Sequence, residues 1–251
     1  TVRKLQLSGL TMVDELDDVR LNRMLKNLST LVSEVTVSNI RREVLTLWRY
    51  AIEEGYTNTL PLRVRKIRVT QSPVEAWSHD ELRNMLEAAT KDGTNCGGVS
   101  QPLVKDWMPH WITIGYETAL RFGDILDLHQ QNIRRGSVCC VAHKTGKALV
   151  RPLTERALGY ANELTVASPD GSLFSHMLTR RRAFVAWKMF LDRHKFKGSS
   201  KWLRRSCATY LELNQPGSAT KYLQHTSPSL AMRHYIDQSL GSLPEGPPSI
   251  R

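Results

Sequence analysis

Residues 201–235 read KWLRRSCATYLELNQPGSATKYLQHTSPSLAMRHY, and the rest of the chain is best read outward from them. Leu203, Cys207, Ala208 and Leu211 recur at helical spacing, so Lys201, Arg204 and Arg205 fall toward the helix start and away from that apolar stripe. Asn214-Gln215-Pro216-Gly217 stops the helix, Ser218 can cap a second short one, and Ser227-Pro228 opens a third with an N-cap and a first-turn proline. Lys201, Arg204, His225 and Tyr235 therefore sit on separate short elements that can converge on one anion.

In this pattern the chain resembles the tyrosine recombinases, or phage integrases. The matching residues are Lys201-x-x-Arg204, Leu223-Gln224-His225 and, ten residues on, Tyr235. Lys201 stands where the family most often has His, and Gln224 where it usually has Gly. Upstream, Ala119-Leu120-Arg121-Phe122-Gly123-Asp124-Ile125 is similar to the family's Gly-Leu-Arg-x-x-Glu-Leu, with Arg121 as the first of two arginines on the scissile phosphate and Asp124 in the acidic place. Ile133–Val141 and Ala148–Leu153 are β-rich runs around His143-Lys144-Thr145-Gly146-Lys147. They resemble the family's small-sheet hairpin, whose tip lysine matches Lys144.

The resemblance implies a mainly α fold with a small antiparallel β-sheet. The expected parts are a helical core-binding domain at 1–60, a basic linker at 61–75, a catalytic domain at 76–240 and a mobile tail at 241–251. Its implied catalytic set is Arg121, Lys144, Lys201, Arg204, His225 and Tyr235. A homotetramer on double-stranded DNA is implied too, and the short tail predicts a monomer free in solution.

Composition agrees with an anionic partner. The 251 residues hold 35 Lys and Arg against 24 Asp and Glu, a net charge of +11, with a pI near 9.7. No apolar run approaches bilayer-crossing length, and the first twenty residues are charged where a signal peptide is apolar, so a cytoplasmic, nucleoid-associated protein without membrane contact is expected. Cys96, Cys139, Cys140 and Cys207 form neither a C-x-x-C pair nor a zinc-finger spacing.

Two amphipathic patterns open the chain. One covers Thr11–Val32, with Asp14 as a possible cap and Leu16, Val19, Met24, Leu25, Leu28 and Leu31 as the stripe. The other covers Ser38–Glu54, closed by Gly55. Arg41, Arg42 and Arg49 lie on the polar side, as a solvated face or as phosphate contacts. Leu60–Ser72 breaks the helical period and carries Arg63, Arg65, Lys66 and Arg68 with no acid between them, which reads as a basic, DNA-contacting connection. Ser78-x-x-Glu81 is a capping box for a helix through Leu82, Met85, Leu86 and Ala89. Asp106–Thr118 returns to helix, its Trp107 and Trp111 read as core. Between residues 176 and 205, Lys and Arg outnumber acids ten to one; Arg180, Arg181 and Arg205 are read as phosphate contacts, and Ala183, Phe184, Trp187, Phe190 and Leu191 as a buried face.

The chemistry follows from residue type. In-line displacement at a phosphodiester builds negative charge on the non-bridging oxygens, and two forked guanidiniums, Arg121 and Arg204, match that charge, with Lys201 and His225 as further donors. The reading therefore calls for no metal and no cofactor. Tyr235 is the nucleophile, its phenolate favoured by the arginines, and Lys144 the acid for the leaving oxygen. The alternatives are a type IB topoisomerase-like nicking-closing enzyme and a DNA-binding relative that has lost catalysis.

Overall fold

The computed structural model describes residues 17–95, 102–224 and 227–241. They form a mostly helical chain with one small antiparallel sheet, as expected. The chain divides into two compact units, Thr1–Ser72 and Pro73–Arg251.

The first unit is built on α1 (Asp18–Ser29) and α2 (Glu34–Glu53). The Asp17 side chain caps α1 and that of Ser33 caps α2; the expected Asp14 cap and Leu16 lie outside the described residues. Leu21, Met24 and Leu25 pack with Val37, Ile40, Val44 and Trp48. Val19 and Leu31, expected in the stripe, are 65% and 78% exposed, and Leu21 takes the inward place. Gly55 (φ +75°) closes α2, with the Gly55 and Tyr56 amides bonded back to the Ile52 and Ala51 carbonyls.

Beyond α2 the chain is tied to both helices. Arg63 N–H donates to Asp18 (2.8 Å), Asn22 bonds the Arg63 carbonyl (3.0 Å) and the Arg65 amide (2.9 Å), and Thr70 N–H reaches Glu34 (3.1 Å). The Arg41 guanidinium donates to the carbonyls of Arg65 (2.6 Å) and Val64 (3.1 Å). Val64 and Ile67 pack on the α1/α2 core, while Arg63, Arg65, Lys66 and Arg68 stay exposed. The stretch read as a basic connection is, over residues 63–70, a docked strap with its cations outward.

The second unit opens with Trp77, packed near Trp187 and Trp202, and with the expected capping box of α3 (His79–Lys91): Ser78 and Glu81 exchange side-chain to backbone bonds. At its centre lies α4 (Val104–Thr118), whose Trp107, Met108, Trp111 and Ile114 are fully buried. A Cβ added at Gly115 would come within 2.9 Å of Leu203, so the missing side chain allows close approach of α4 to α8 (Lys201–Asn214).

After α5 (Phe122–Leu126) come β1 (Ile133–Arg134), β2 (Ser137–Val141) and β3 (Ala148–Pro152), antiparallel in the order β1-β2-β3. The single run expected at 133–141 is thus two strands. Arg135 and Gly136 both have positive φ (50° and 70°), the two-residue turn that suits the strand twist. The sequence reading passed over α6 (Glu155–Val166), capped by Thr154. Then follow α7 (Arg180–Arg193), α8, α9 (Ser218–Leu223) and α10 (Pro228–His234). Ala183, Trp187, Phe190 and Leu191 of α7 are buried as expected, but Ala186 completes that face and Phe184 is 55% exposed.

Asp92, just past α3, clamps the end of that helix to the end of α7: its buried carboxylate accepts from Arg193 (2.6 Å), His194 (3.0 Å) and Thr94. Burial pushes its pKa up, but the bonds from Thr94, His194 and Arg193 outweigh that and bring it from 3.8 to about 2. A depressed folded-state pKa stabilises above the unfolded value and is lost as pH falls through the folded one. Asp92 should therefore contribute about 2 kcal/mol at neutral pH, lost between roughly pH 4 and pH 2. Asp92→Asn should remove that amount and flatten the acid limb of a melting-temperature profile; an unchanged limb would show the clamp to be inert.

Candidate active site

Three short elements and the end of a fourth meet around a small apolar cluster. Ala119 after α4, Cys207 and Ala208 of α8, Ala219 and Leu223 of α9 and Ile236 after α10 pack together, with Tyr235 against them. Tyr235 itself follows the last helical residue of α10. Its carbonyl accepts from Thr209 Oγ1 (3.3 Å), which in turn takes the Asp237 amide (2.9 Å), while the buried Asp237 carboxylate holds the Ala76 amide (2.8 Å). The tyrosine backbone is thereby fixed to the middle of α8.

Beside this cluster opens a cleft of about 950 Å³. Arg121 enters from the start of α5, Lys144 from the β2–β3 turn, Lys201 and Arg204 from α8, and Tyr235 from the end of α10. Arg180 and Arg181 of α7 and Arg205 of α8 complete the wall, and none of the described lining residues is acidic. Five of the six residues expected to act together thus share one cavity. The sixth, His225, lies outside the described residues.

Arg204 is the most enclosed of the set, 6% exposed, although its place in the sequence pattern pointed away from the apolar stripe. Its guanidinium donates to the Ala119 carbonyl and lies 5.1 Å from the centre of the Tyr235 ring. Burial pushes its pKa down, Tyr235 opposes this, and Arg121 adds to it. Arginine keeps its charge regardless, so the direction describes a cation short of anions. Among the described residues Arg121 has one carboxylate in reach, the buried Asp124 at 3.9 Å. Asp124 also accepts the His143 amide (3.1 Å), and His143 pairs with Asp127 (3.0 Å), so the arginine and the base of the lysine turn share a support. Two guanidiniums side by side with one distant carboxylate form a pocket suited to an anion.

Gly123 has a steric role in this wall. A Cβ there would lie 1.7 Å from Arg180 Nη2, so the bare backbone of α5 admits the α7 guanidinium to the cleft. Phe184 lines the same cavity, its ring 6.0 Å from that of Phe122.

Tyr116 and Tyr222, also near α8, are of another kind. Burial pushes both phenols up, and the Tyr222 hydroxyl donates to the Glu117 carbonyl. Neither lines the cleft. Among the expected phosphate contacts, Arg180, Arg181 and Arg205 are in the cleft, and Arg205 also donates to the Glu75 carbonyl (3.3 Å). Arg41, Arg42, Arg63, Arg65, Lys66 and Arg68 belong to the first unit, where Arg41 is engaged with the strap and Arg42 with Asn39 (3.1 Å).

Arg151 escaped the sequence reading. It is 4% exposed, with no ion pair to a carboxylate among the described residues; its guanidinium donates to the Tyr222 and Val150 carbonyls and lies 4.3 Å from the centre of the Tyr222 ring. Burial lowers its pKa. The available signal was the alternation in Ala148–Pro152: Leu149 faces inward, and so must Arg151, two residues on.

No protein-family model matches the sequence, and no curated protein does. Solved structures do. A lambda integrase (residues 75–356) dimer bound to a COC′ core site aligns over 97% of this chain and 89% of its own, at 18% identity and a TM-score of 0.70. The Tn1549 transposon integrase in complex with circular intermediate DNA covers 93% and 87%, at 12% identity and 0.71. XerH site-specific recombinase in a post-cleavage complex with palindromic difH substrate covers 95% and 73%, at 18% identity and 0.70.

Proposed function

We propose that this chain, whose fold is that of the tyrosine recombinases, is a site-specific recombinase or integrase that cuts and rejoins double-stranded DNA through a 3′-phosphotyrosine intermediate. The observation that carries the reading is the single cleft in which Arg121, Lys144, Lys201, Arg204 and Tyr235 arrive from separate elements. Similarity to DNA-bound integrases and a recombinase supports it, as does the net charge of +11.

In the mechanism, Arg121 and Arg204 hold the non-bridging oxygens, and Lys201 adds a donor at the cleft wall. Tyr235 gives up its phenolic proton to water in the open cleft and attacks phosphorus; the bond to the 5′ oxygen breaks, and Lys144 protonates that oxygen. The new phosphotyrosine keeps the ester's energy, so a second 5′ hydroxyl can reverse the step without ATP. His225 is assigned a further phosphate donor by its place in the sequence motif. Arg180, Arg181, Arg205 and the outward cations of the strap bind backbone phosphates.

Exchange between two duplexes needs four cuts, and one protomer supplies one tyrosine. We assign the working species as a homotetramer on DNA, in line with the lambda integrase tetramer bound to a Holliday junction. Of the tail expected to be mobile at 241–251, residues 242–251 lie outside the described residues. None of the described helices is long and apolar enough to cross a membrane.

Covalent adduct formation on nicked suicide DNA tests the reading, and the Lys144 assignment has its own check. Lys144→Ala should slow cleavage by roughly 10²–10⁴-fold, and a substrate with a 5′-bridging sulfur, which leaves without a proton, should restore it. A variant equally slow on both substrates would remove Lys144 as the acid.

A further inference from the structure

Gln224, the residue that ends α9, takes a left-handed backbone conformation (φ +53°, ψ 41°) that favours glycine. Its side chain has a partner that glycine would forgo: Nε2 donates to the Ala148 carbonyl at 2.9 Å, at the first residue of β3. Its own carbonyl accepts from Lys147 Nζ at 3.2 Å. A third bond, from the buried Arg151 guanidinium to the Tyr222 carbonyl, joins the same two elements a little further in. The far side of the lysine turn is thus stitched to the end of α9 at Lys147, Ala148 and Arg151.

The near side of that turn is held by other groups, the His143 amide on Asp124 and the His143 ring on Asp127. Lys144 projects from the three residues between these anchors. The turn itself closes through the Thr145 and Gly146 amides on the Ala142 carbonyl. Its inner face, through Ala142, Thr145 and Lys147, borders a second cavity of about 400 Å³ that also reaches Arg121, Arg204 and Gln224. A shift of the turn relative to α9 would therefore carry Lys144 away from the two arginines.

We infer that Gln224 is a positioning residue for Lys144: its side-chain bond to β3 and its carbonyl bond to Lys147 hold the lysine turn where the departing oxygen can take its proton. The inference rests on the proposed recombinase reading and adds a second residue to the acid step. The left-handed backbone at Gln224 is accepted because the side chain there does what glycine cannot.

Stability and rate then move in different directions. Gln224→Gly relieves the backbone and removes the bond to Ala148, so it should melt no lower than the parent chain, and by up to roughly 4 °C higher. It should bind a DNA half-site as the parent does. Cleavage of an ordinary phosphodiester should fall roughly 10- to 100-fold, the scale of a misplaced reacting group. On DNA with a 5′-bridging sulfur, where no proton is needed, the deficit should shrink to under about threefold, the residue of ordinary assay scatter. Gln224→Asn, which tolerates the left-handed backbone but is one methylene shorter, should show the same substrate dependence. Cleavage by Gln224→Gly at the parent rate, or equal slowing on both substrates, would overturn the assignment. Lys144→Ala run alongside separates the two levels. If sulfur rescues Lys144→Ala and not Gln224→Gly, the positioning role alone fails; if it rescues neither, the acid assignment falls and the positioning role with it.

Discussion

Tyr235→Phe should leave no covalent protein–DNA adduct on a suicide substrate, a loss of roughly 10⁴-fold or more, because on the proposed mechanism it removes the nucleophile and with it the covalent step. The substitution removes only the hydroxyl, with its bond to the Arg204 side chain. The residue's ring packs against the Ala119/Cys207/Leu223 cluster and lies 5.1 Å from the Arg204 guanidinium, and phenylalanine keeps both relations. Its backbone is held by Thr209, which the change leaves alone. Folding and half-site binding should therefore stay near those of the parent, measured by melting temperature and gel shift. An adduct of undiminished yield would place the nucleophile elsewhere. Tyr116 and Tyr222 are poor candidates, since burial disfavours both phenolates.

Arg204 carries the second large effect, and Arg204→Lys is its sharpest probe. Lysine keeps the charge but loses the fork, which bonds the Ala119 carbonyl with one arm and leaves others for the proposed phosphate. Loss of one preorganised donor to a developing charge costs about 2.7–4 kcal/mol, or roughly 10²–10³-fold in rate. Single-turnover cleavage of bound DNA should fall by that factor, while half-site affinity at fixed salt changes by only about threefold, since one phosphate contact among many is lost. A variant that binds badly yet cleaves normally once bound would make Arg204 an affinity group. The free protein should melt somewhat lower, because lysine keeps a buried cation near Arg121 but loses the guanidinium's bond to the Ala119 carbonyl, so cleavage is compared on the folded, DNA-bound variant.

What the sequence disclosed and what it hid divide along physical lines. The C-terminal motif was legible because its residue types are chemically unusual together. The capping box at Ser78 and the glycine stop at Gly55 were legible because they are local. The helix at 155–166 was missed because its inward positions, Ala157, Ala161 and Leu164, are mostly small and give a weak period. Phe184 was read as core because it sits at the edge of the α7 stripe, where the angular difference from Ala186 is decided by neighbours and not by spacing. The burial of Arg151 and the attachment of residues 63–70 both depend on partners far along the chain: Tyr222 for the first, Asp18, Asn22, Glu34 and Arg41 for the second. No window of local sequence contains those pairs.

The strap sets a rule for anyone recombining parts of such proteins. A chimera that borrows the first unit and is spliced at residue 60 would inherit Asp18, Asn22 and Arg41 as orphans, and the sides of Val64 and Ile67 that shelter the α1/α2 core would be missing. The transplantable module ends at residue 72, and its four outward cations travel with it. A graft cut at that point would bring along the strap's four exposed cations, a positive charge set by the donor and not by the recipient.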